Sequence, residues 1–274
     1  MMEVDHPEIV DTVRRALEED IGSGDVTSNA CVPPERKASG DFIAKQAQVV
    51  AGVELLPLIY DRCSLRMKSG DRAEVGDVIA SVEGNACELL SRERVALNFL
   101  QRLGGVATLA SRYVEQVAQT ACRVLDTRKT TPGLRRLEKM AAAAGGVTNH
   151  RMGLYDAILI KNNHIAAAGG VRQAIEAARE ASRLPIEIEA RTRDEVAEAL
   201  DAGARHLLLD NFSPAEAAEL IRWIAGRAKV EISGGVTLET VRDYALTGAD
   251  FVSAGAITHS APAVDISFRL MWKK

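Results

Sequence analysis

Two kinds of residue recur along this chain in combinations that suit binding and chemistry on anions. The first is cationic: Arg128 and Lys129 in DTRKTT, His150 and Arg151 in TNHR, and Lys161 in LIKNN, with Arg94 in SRERVALN as an earlier sixth. The whole chain carries 34 Lys+Arg against 38 Asp+Glu, a formal net charge of −4. A cationic cluster on that background implies a strongly anionic small molecule, because guanidinium forks pair bidentately with carboxylates and phosphates. The second kind is acidic, Glu189 in IEIEA and Asp210 in HLLLD. Two hard oxygen donors beside phosphate suit Mg²⁺, which keeps part of its water shell and bridges to the ligand. The competing use of these acids is a structural ion network with Arg128, Lys129 and Lys161, which on its own gains little stability. Glu187 shares a strand face with Glu189 and is placed to support it.

Glycine marks two further places. Ser233-Gly234-Gly235 and the run SAGAITHS around Gly255 resemble phosphate grips, in which glycine lets the backbone approach and a following helix offers unpaired N–H groups. Tight turning is the alternative for any single glycine. His150 follows Gly145-Gly146 and sits beside Arg151, whereas His6 and His206 read as structural histidines.

The elements that must position these residues alternate from about residue 123 onward. Apolar runs of strand length begin near positions 123, 157, 186, 206, 229 and 251, separated by amphipathic patterns such as VRQAIEAAREASR and PAEAAELIRWIAG. Continuous apolar strands alternating with helices indicate a parallel sheet covered on its outer face, and the short, even repeats favour a barrel. A complete barrel needs eight units and six are clear, so an open, incomplete α/β barrel is expected. Asp126-Thr127-Arg128-Lys129 follow the first of these strands, and Lys161, Glu189, Asp210, Ser233-Gly234-Gly235 and Gly255 close the second to the sixth, all at carboxyl ends. That is the face where such barrels hold their active sites, with phosphate in the last units. Before this, HPEIVDTVRRALEED has helical spacing, and FIAKQAQVVAGV and MKSGDRAEVGDVIASVEG read as strands joined by tight turns. ELLSRERVALNFLQRLGGVATLASRYVEQVA reads as helices interrupted at Gly104-Gly105. The first hundred residues therefore predict a separate small sheet with helices packed on it.

Composition narrows the function class. With 274 residues and 47% apolar content the chain can bury one large or two modest cores. It has no overall basic field for nucleic acid or an anionic membrane, no run of membrane-spanning length and no signal-peptide layout at MMEVDHPEIV, so a cytoplasmic protein without nucleic-acid or membrane partners is expected. Cys31, Cys63, Cys87 and Cys122 are too scattered for a zinc knuckle or a disulfide framework, and are expected to be reduced packing residues.

Taken together, LDTRKTTPGLR, GGVTNHRMGLYDAILIKNNHI, EISGG and SAGAITHS closely resemble the quinolinate phosphoribosyltransferases, also called decarboxylating nicotinate-nucleotide pyrophosphorylases. The likeness runs from EEDIGSGDVTS to the C terminus. It implies an N-terminal α/β sandwich domain over residues 1–106, with the tail 266–274 packing on it, and an open α/β barrel over 107–265. It also implies a homodimer with a shared active site, open to further assembly. The implied activity is that of a nicotinate-nucleotide diphosphorylase (carboxylating): quinolinate and phosphoribosyl pyrophosphate give nicotinate mononucleotide, pyrophosphate and CO₂ in de novo NAD biosynthesis, with Mg²⁺. On this resemblance Arg94 is donated across the dimer interface, and Arg128, His150, Arg151 and Lys161 receive the quinolinate carboxylates. Thr127 joins the substrate-binding set and Lys129 lies against the pyrophosphate. Glu189 and Asp210 serve metal and ribose, and Lys129, Lys161, Glu189 and Asp210 form the catalytic group. Ser233, Gly234, Gly235, Ala254, Gly255 and Ala256 fall at the ribose 5-phosphate, with His259 nearby.

Three departures from the family pattern stand out: GGVA at 104–107, the GGVTNHR form before the His-Arg pair, and Arg191 beside the metal edge. None removes a residue given a catalytic role. Two other readings are compatible with the barrel: a phosphoribosyltransferase for nicotinate that does not decarboxylate, and a non-catalytic relative that binds a phosphorylated metabolite. Receptors for two carboxylates and intact NHR, DTRKT and LIKNNH motifs speak against them.

Overall fold

The structure, a computed structural model, describes residues 4–272; residues 1–3 and 273–274, the ends of the expected N-terminal domain and tail, lie outside the described residues. Two compact units are present. Residues 4–111, 130–146 and 257–272 form one, and 112–129 with 147–256 the other.

The first unit opens with helix α1 (Pro7–Ile21), started by Pro7 at its first turn and by the His6 ring accepting the Glu8 N–H, and it buries Ile9 and Val13. Helix α2 (Val26–Cys31) is capped by Asp25, which accepts from the Thr27 and Ser28 N–H groups. Strands β1 (Lys37–Ala44) and β2 (Gln48–Val49), a 3₁₀ turn (Val53–Leu55), helix α3 (Leu56–Ile59), β3 (Cys63–Leu65), β4 (Arg72–Ala73) and β5 (Val78–Asn85) follow. The last strand, β12 (Ile266–Trp272), completes an antiparallel sheet in the order β12-β1-β5-β3, while β2 pairs with β4. Along β1, Ala38, Gly40, Phe42 and Ala44 point alternately into the core, the period of two that a half-buried strand requires. Phe42 sits 4.8 Å from the Phe268 ring and 6.1 Å from Tyr60. Gly40 lies under the Phe268 ring, where a Cβ would collide with it.

Helix α4 (Ala86–Val117) is continuous over 32 residues. The expected interruption at Gly104-Gly105 is absent. Those glycines belong to the helix because the chain at residues 262–264 passes against them: a Cβ on Gly105 would strike the Pro262 carbonyl, and one on Gly104 would lie 2.8 Å from Val264. Close packing, not helix termination, explains the pair. Helix α5 (Arg135–Ala144) buries Leu137, Glu138, Lys139, Ala141 and Ala142. Glu138 is wholly buried and accepts from Arg102 Nε at 3.0 Å and Nη2 at 2.7 Å, while Arg102 Nη1 donates to the Ala261 carbonyl at 2.8 Å. This one guanidinium ties α4, α5 and the chain near residue 261 together, and all three segments belong to the first unit.

The second unit carries strands β6 (Arg123–Leu125), β7 (Ile158–Ile160), β8 (Ile186–Ala190), β9 (His206–Asp210), β10 (Lys229–Ser233) and β11 (Phe251–Ser253). They form one sheet in the order β6-β11-β10-β9-β8-β7, and every paired neighbour runs parallel. Thr148 bridges to Leu125 beyond β6, and no ladder joins that edge to β7 among the described residues, so the barrel is open as expected. Helices α6 (Asn162–Ala168), α7 (Val171–Ala181), α8 (Arg193–Asp201), α9 (Pro214–Ile224) and α10 (Val241–Ala245) connect the strands, and α11 (Ala256–His259) follows β11. The strand interiors Ile188, Leu207, Leu209, Val230, Ile232 and Val252 are buried. Helix α9 shows how tightly local sequence sets its start: Ser213 and Glu216 form a reciprocal capping box and Pro214 occupies the first turn.

Candidate active site

The carboxyl end of β6 continues into Asp126, which is fully buried. Its Oδ1 accepts the His150 backbone N–H at 2.8 Å and its Oδ2 accepts Asn149 Nδ2–H at 2.6 Å. With Thr148 donating to the Val124 carbonyl, these bonds lay residues 148–150 along β6 and fix where His150 and Arg151 begin. The His150 ring is engaged on both sides. Its Nδ1 accepts the Arg151 N–H at 2.7 Å, and its Nε2 lies 3.1 Å from Glu187 Oε2 and 3.5 Å from Glu231 Oε2. Arg151 Nη1 donates to the Ala157 carbonyl at 3.1 Å, and the next turn is closed by Asp156 accepting from the Met152 and Gly153 N–H groups. Burial, followed by the neighbouring Arg128 charge, lowers the Arg151 guanidinium from its ordinary value. The positive charge of Arg128 and Arg151 makes this a region that favours an anion.

Glu187 does not support Glu189 as strand alternation suggested. It faces His150 on one side and His206 on the other, with His206 Nε2 3.4 Å from Glu187 Oε1. Burial pushes the Glu187 carboxyl up, but the His150 hydrogen bond and the neighbouring His206 ring bring it below its ordinary value. Glu231 is held well above its ordinary value, first by burial and then by the Glu187 charge. A cavity of about 370 Å³ opens among Thr148, His150, Arg151, Glu187, His206 and Glu231.

The second group forms at the ends of β7, β8 and β9. Lys161 Nζ lies 3.6 Å from Glu189 Oε2, and the Asn162 N–H donates to Glu189 Oε1 at 3.4 Å. Asp210 accepts from Asn211 Nδ2 at 2.8 Å. Burial and the Glu189 charge raise the Asp210 carboxyl above its ordinary value against the pull of Lys161 and Arg191. Two hard carboxylates that repel each other fit a divalent cation such as Mg²⁺, which would relieve that repulsion. Lys161 also acts electrostatically on Glu231, so its charge is felt by both groups. Arg191, the unexpected cation beside this edge, lies 3.9 Å from Glu195 and donates its backbone N–H to the same carboxylate.

The remaining expected residues take simpler positions. Thr127 Oγ1 accepts the Lys129 N–H at 3.1 Å, and the Lys129 side chain is exposed. Arg94 is exposed on α4 in the first unit. Gly234 has φ 92° and packs against Asn211, where a Cβ would clash, whereas Gly235, at φ 62°, has open space above it. Ser233 is half-buried and Ala254 buried, while Gly255 and Ala256 are half-buried at the start of α11. His259 is exposed and its Nδ1 lies 2.6 Å from Ser260 Oγ. The helix expected directly after Ser233-Gly234-Gly235 begins only at Val241, because residues 236–240 first make a turn closed by Thr237 and Thr240.

Four contributors were not assigned from sequence: Asp126 as an anchor, Asn149, Glu231 and His206. An acid at the centre of the apolar strand KVEIS was the available signal for Glu231. The four cysteines are free; Cys122 is buried, but Cys31 is exposed and packs no core.

An open parallel α/β barrel that gathers guanidinium, ammonium and carboxylate groups at its strand ends is the framework of an enzyme acting on polyanionic small molecules. The chain belongs to the quinolinate phosphoribosyltransferase family: residues 25–104 match the family's N-terminal domain and 106–269 its C-terminal domain. It is 41% identical over 257 residues to a probable nicotinate-nucleotide pyrophosphorylase (carboxylating) of Bacillus subtilis, covering 91% of this chain and 89% of that one. It is 40% identical over 285 residues to the chloroplastic nicotinate-nucleotide pyrophosphorylase (carboxylating) of Arabidopsis thaliana, covering 94% and 81%. The crystal structure of NadC from Streptococcus pyogenes superposes with a TM-score of 0.93 at 38% identity, over 97% of this chain and 98% of that one. Among the described residues no helix is long and apolar enough to cross a membrane.

Proposed function

We propose that this chain transfers the phosphoribosyl group of phosphoribosyl pyrophosphate to quinolinate and decarboxylates the product, giving nicotinate mononucleotide, pyrophosphate and CO₂ for NAD biosynthesis. The observation that carries this reading is the buried Asp126–His150 anchor, which sets Arg151 where the Arg128 charge is felt, in a chain that matches the family over nearly its whole length. Quinolinate brings two carboxylates, and two guanidinium groups match that charge.

The chemistry then follows from charge. Arg128, Arg151 and Lys161 hold the dicarboxylate with its pyridine nitrogen toward C1 of the ribose. As the C1–O bond to pyrophosphate breaks, Lys129 stabilises the departing negative charge and the acids Glu189 and Asp210 face the oxocarbenium character left on the sugar. The pyridine nitrogen donates its pair to C1. That nitrogen, now positive, stabilises the electron pair left at C2 when CO₂ departs, and a proton taken up at C2 completes the product. The protein supplies no covalent nucleophile. Glu189 and Asp210 would hold Mg²⁺, which when bound neutralises phosphate charge. Ser233, Gly234, Gly235, Ala254, Gly255 and Ala256 would receive the 5-phosphate through backbone N–H groups, and the open space over Gly235 supports that use. The functional assembly in this reading is a cytoplasmic homodimer in which Arg94 of each subunit serves the other's site.

The test is a turnover assay with Mg²⁺ and phosphoribosyl pyrophosphate that compares quinolinate with nicotinate. Mononucleotide from quinolinate alone is expected. Product from nicotinate without CO₂, or no turnover of either acid, would overturn the assignment.

A further inference from the structure

Resting on that reading of the carboxylate receptor, we propose that Glu187, backed by Glu231, is a positioning residue. It locks His150 as the Nε2–H tautomer, so that the ring organises the Arg151 backbone and brings no charge of its own to the substrate. The Arg151 backbone N–H points at His150 Nδ1 from 2.7 Å, and a backbone amide can only donate, so Nδ1 must be the bare, accepting nitrogen. A neutral imidazole then carries its proton on Nε2. That atom faces carboxylate oxygens: Glu187 Oε2 at 3.1 Å and Glu231 Oε2 at 3.5 Å. The partner of one ring nitrogen sets the state of the other.

The surroundings reinforce this assignment. Glu187 and Glu231 retain only 6% and 1% of their exposure, so little water competes for the ring. Asp126 holds the His150 N–H while His150 holds the Arg151 N–H. A chain of bonds thus runs from β6 through residue 150 to the guanidinium-bearing residue 151. Glu187 Oε1 is turned toward His206, which leaves Oε2 for His150. An imidazolium would set an Nδ1–H against the Arg151 N–H, donor against donor.

The same geometry excludes a different use of the cluster. His150, Glu187 and Glu231 offer ligand atoms within 4.8 Å of one another, the spacing of a small transition-metal site. A metal on Nε2 would require the proton on Nδ1, where a ligating histidine donates to an acceptor. Here Nδ1 meets a donor, so His150 and Glu187 form a hydrogen-bonded brace with Glu231 beside it.

The experiment is a two-bond ¹H–¹⁵N correlation spectrum of the full chain with ¹⁵N-labelled histidine, His150 being assigned by His150→Gln. At neutral pH the expected pattern is a protonated Nε2 and an unprotonated Nδ1, unchanged by added Zn²⁺. A protonated Nδ1, a doubly protonated ring, or a Zn²⁺-induced shift of Nε2 would overturn the proposal. In parallel, Glu187→Ala is expected to raise KM for quinolinate roughly ten- to hundred-fold, the size of a lost charge-assisted hydrogen bond. KM for phosphoribosyl pyrophosphate should stay near its original value, and Glu187→Gln, which keeps an acceptor oxygen, should restore most of the loss. A quinolinate KM within about twofold of wild type in a folded Glu187→Ala protein, against that expected loss, would also overturn the proposal. The spectrum needs no turnover, so the expected tautomer in a protein that does not use quinolinate would refute the enzymatic reading and leave the tautomer assignment standing.

Discussion

Asp126→Asn removes a charge from the anchor of residues 148–151 while leaving its shape almost unchanged. Asp126 is fully buried, and the hydrogen bonds it accepts include those from the His150 backbone and from Asn149 Nδ2. A hydrogen bond to an ionised group contributes about 1.5–3 kcal/mol net and one between neutral groups about 0.5–1.5. If the Asn149 amide turns over to present its oxygen, the variant keeps two neutral bonds and loses about 1–1.5 kcal/mol at each, or about 2–3 kcal/mol in all. If Asn149 does not turn, two amide nitrogens face each other and the loss is larger. Residues 149–151 carry the carboxylate receptor, so part of this cost should appear as looser quinolinate binding. Denaturant unfolding should show reduced stability, and KM for quinolinate should rise several-fold to about a hundredfold, these two bonds together contributing about 2–3 kcal/mol. KM for phosphoribosyl pyrophosphate should move little. If both stability and quinolinate KM match wild type, the anchoring role assigned to Asp126 is wrong.

Gly105→Ala should destabilise the protein by about 1–3 kcal/mol in thermal or denaturant melts, because the added methyl overpacks against the Pro262 carbonyl; a neutral result would refute the close-approach explanation of the α4 glycines. Glu231 is held above its ordinary carboxyl value when folded, so its contribution to stability is present at acid pH and lost as pH rises through the carboxylate range. Glu231→Gln removes that loss, and the difference in thermal midpoint should therefore shift in the variant's favour as pH rises above the ordinary carboxyl value of 4.5; a difference independent of pH would contradict it. Arg94→Ala and Lys161→Ala should each be inactive alone. Mixed under subunit exchange they should recover about a quarter of wild-type activity, since about half the dimers hold one intact site of two. No recovery in proven heterodimers would remove Arg94 from the neighbouring site.

How far the sequence alone carries depends on how local the deciding physics is. All six parallel strands start within one residue of the positions their apolar runs indicate, since a buried parallel strand is marked by its own side chains. The clustering of Lys161, Glu189 and Asp210 was legible for the same reason, each closing or directly following a strand. The continuity of α4 was not, because Gly104 and Gly105 look like breakers until residues 262–264, far along the chain, are placed against them. Asp126 was visible as a strand-end residue, but its two acceptor bonds depend on how residues 148–150 return beside β6. Glu187 has the alternation that predicts an inward carboxylate, yet alternation cannot say that its neighbours are His150 and His206 rather than Glu189. His206 read as structural because nothing in HLLLD reveals that the first residue of that strand meets an acid on the adjacent one.

The most direct measurement follows a label in the reacting carboxylate. Quinolinate carrying ¹³C in its C2 carboxyl group would be incubated with the protein, Mg²⁺ and phosphoribosyl pyrophosphate, and labelled CO₂, pyrophosphate and nicotinate mononucleotide counted together. Equal amounts of all three are expected, with no labelled CO₂ when phosphoribosyl pyrophosphate is left out. Release of CO₂ without pyrophosphate, or a mononucleotide that keeps the label, would contradict an account in which N-ribosylation makes the C2 carboxylate leave.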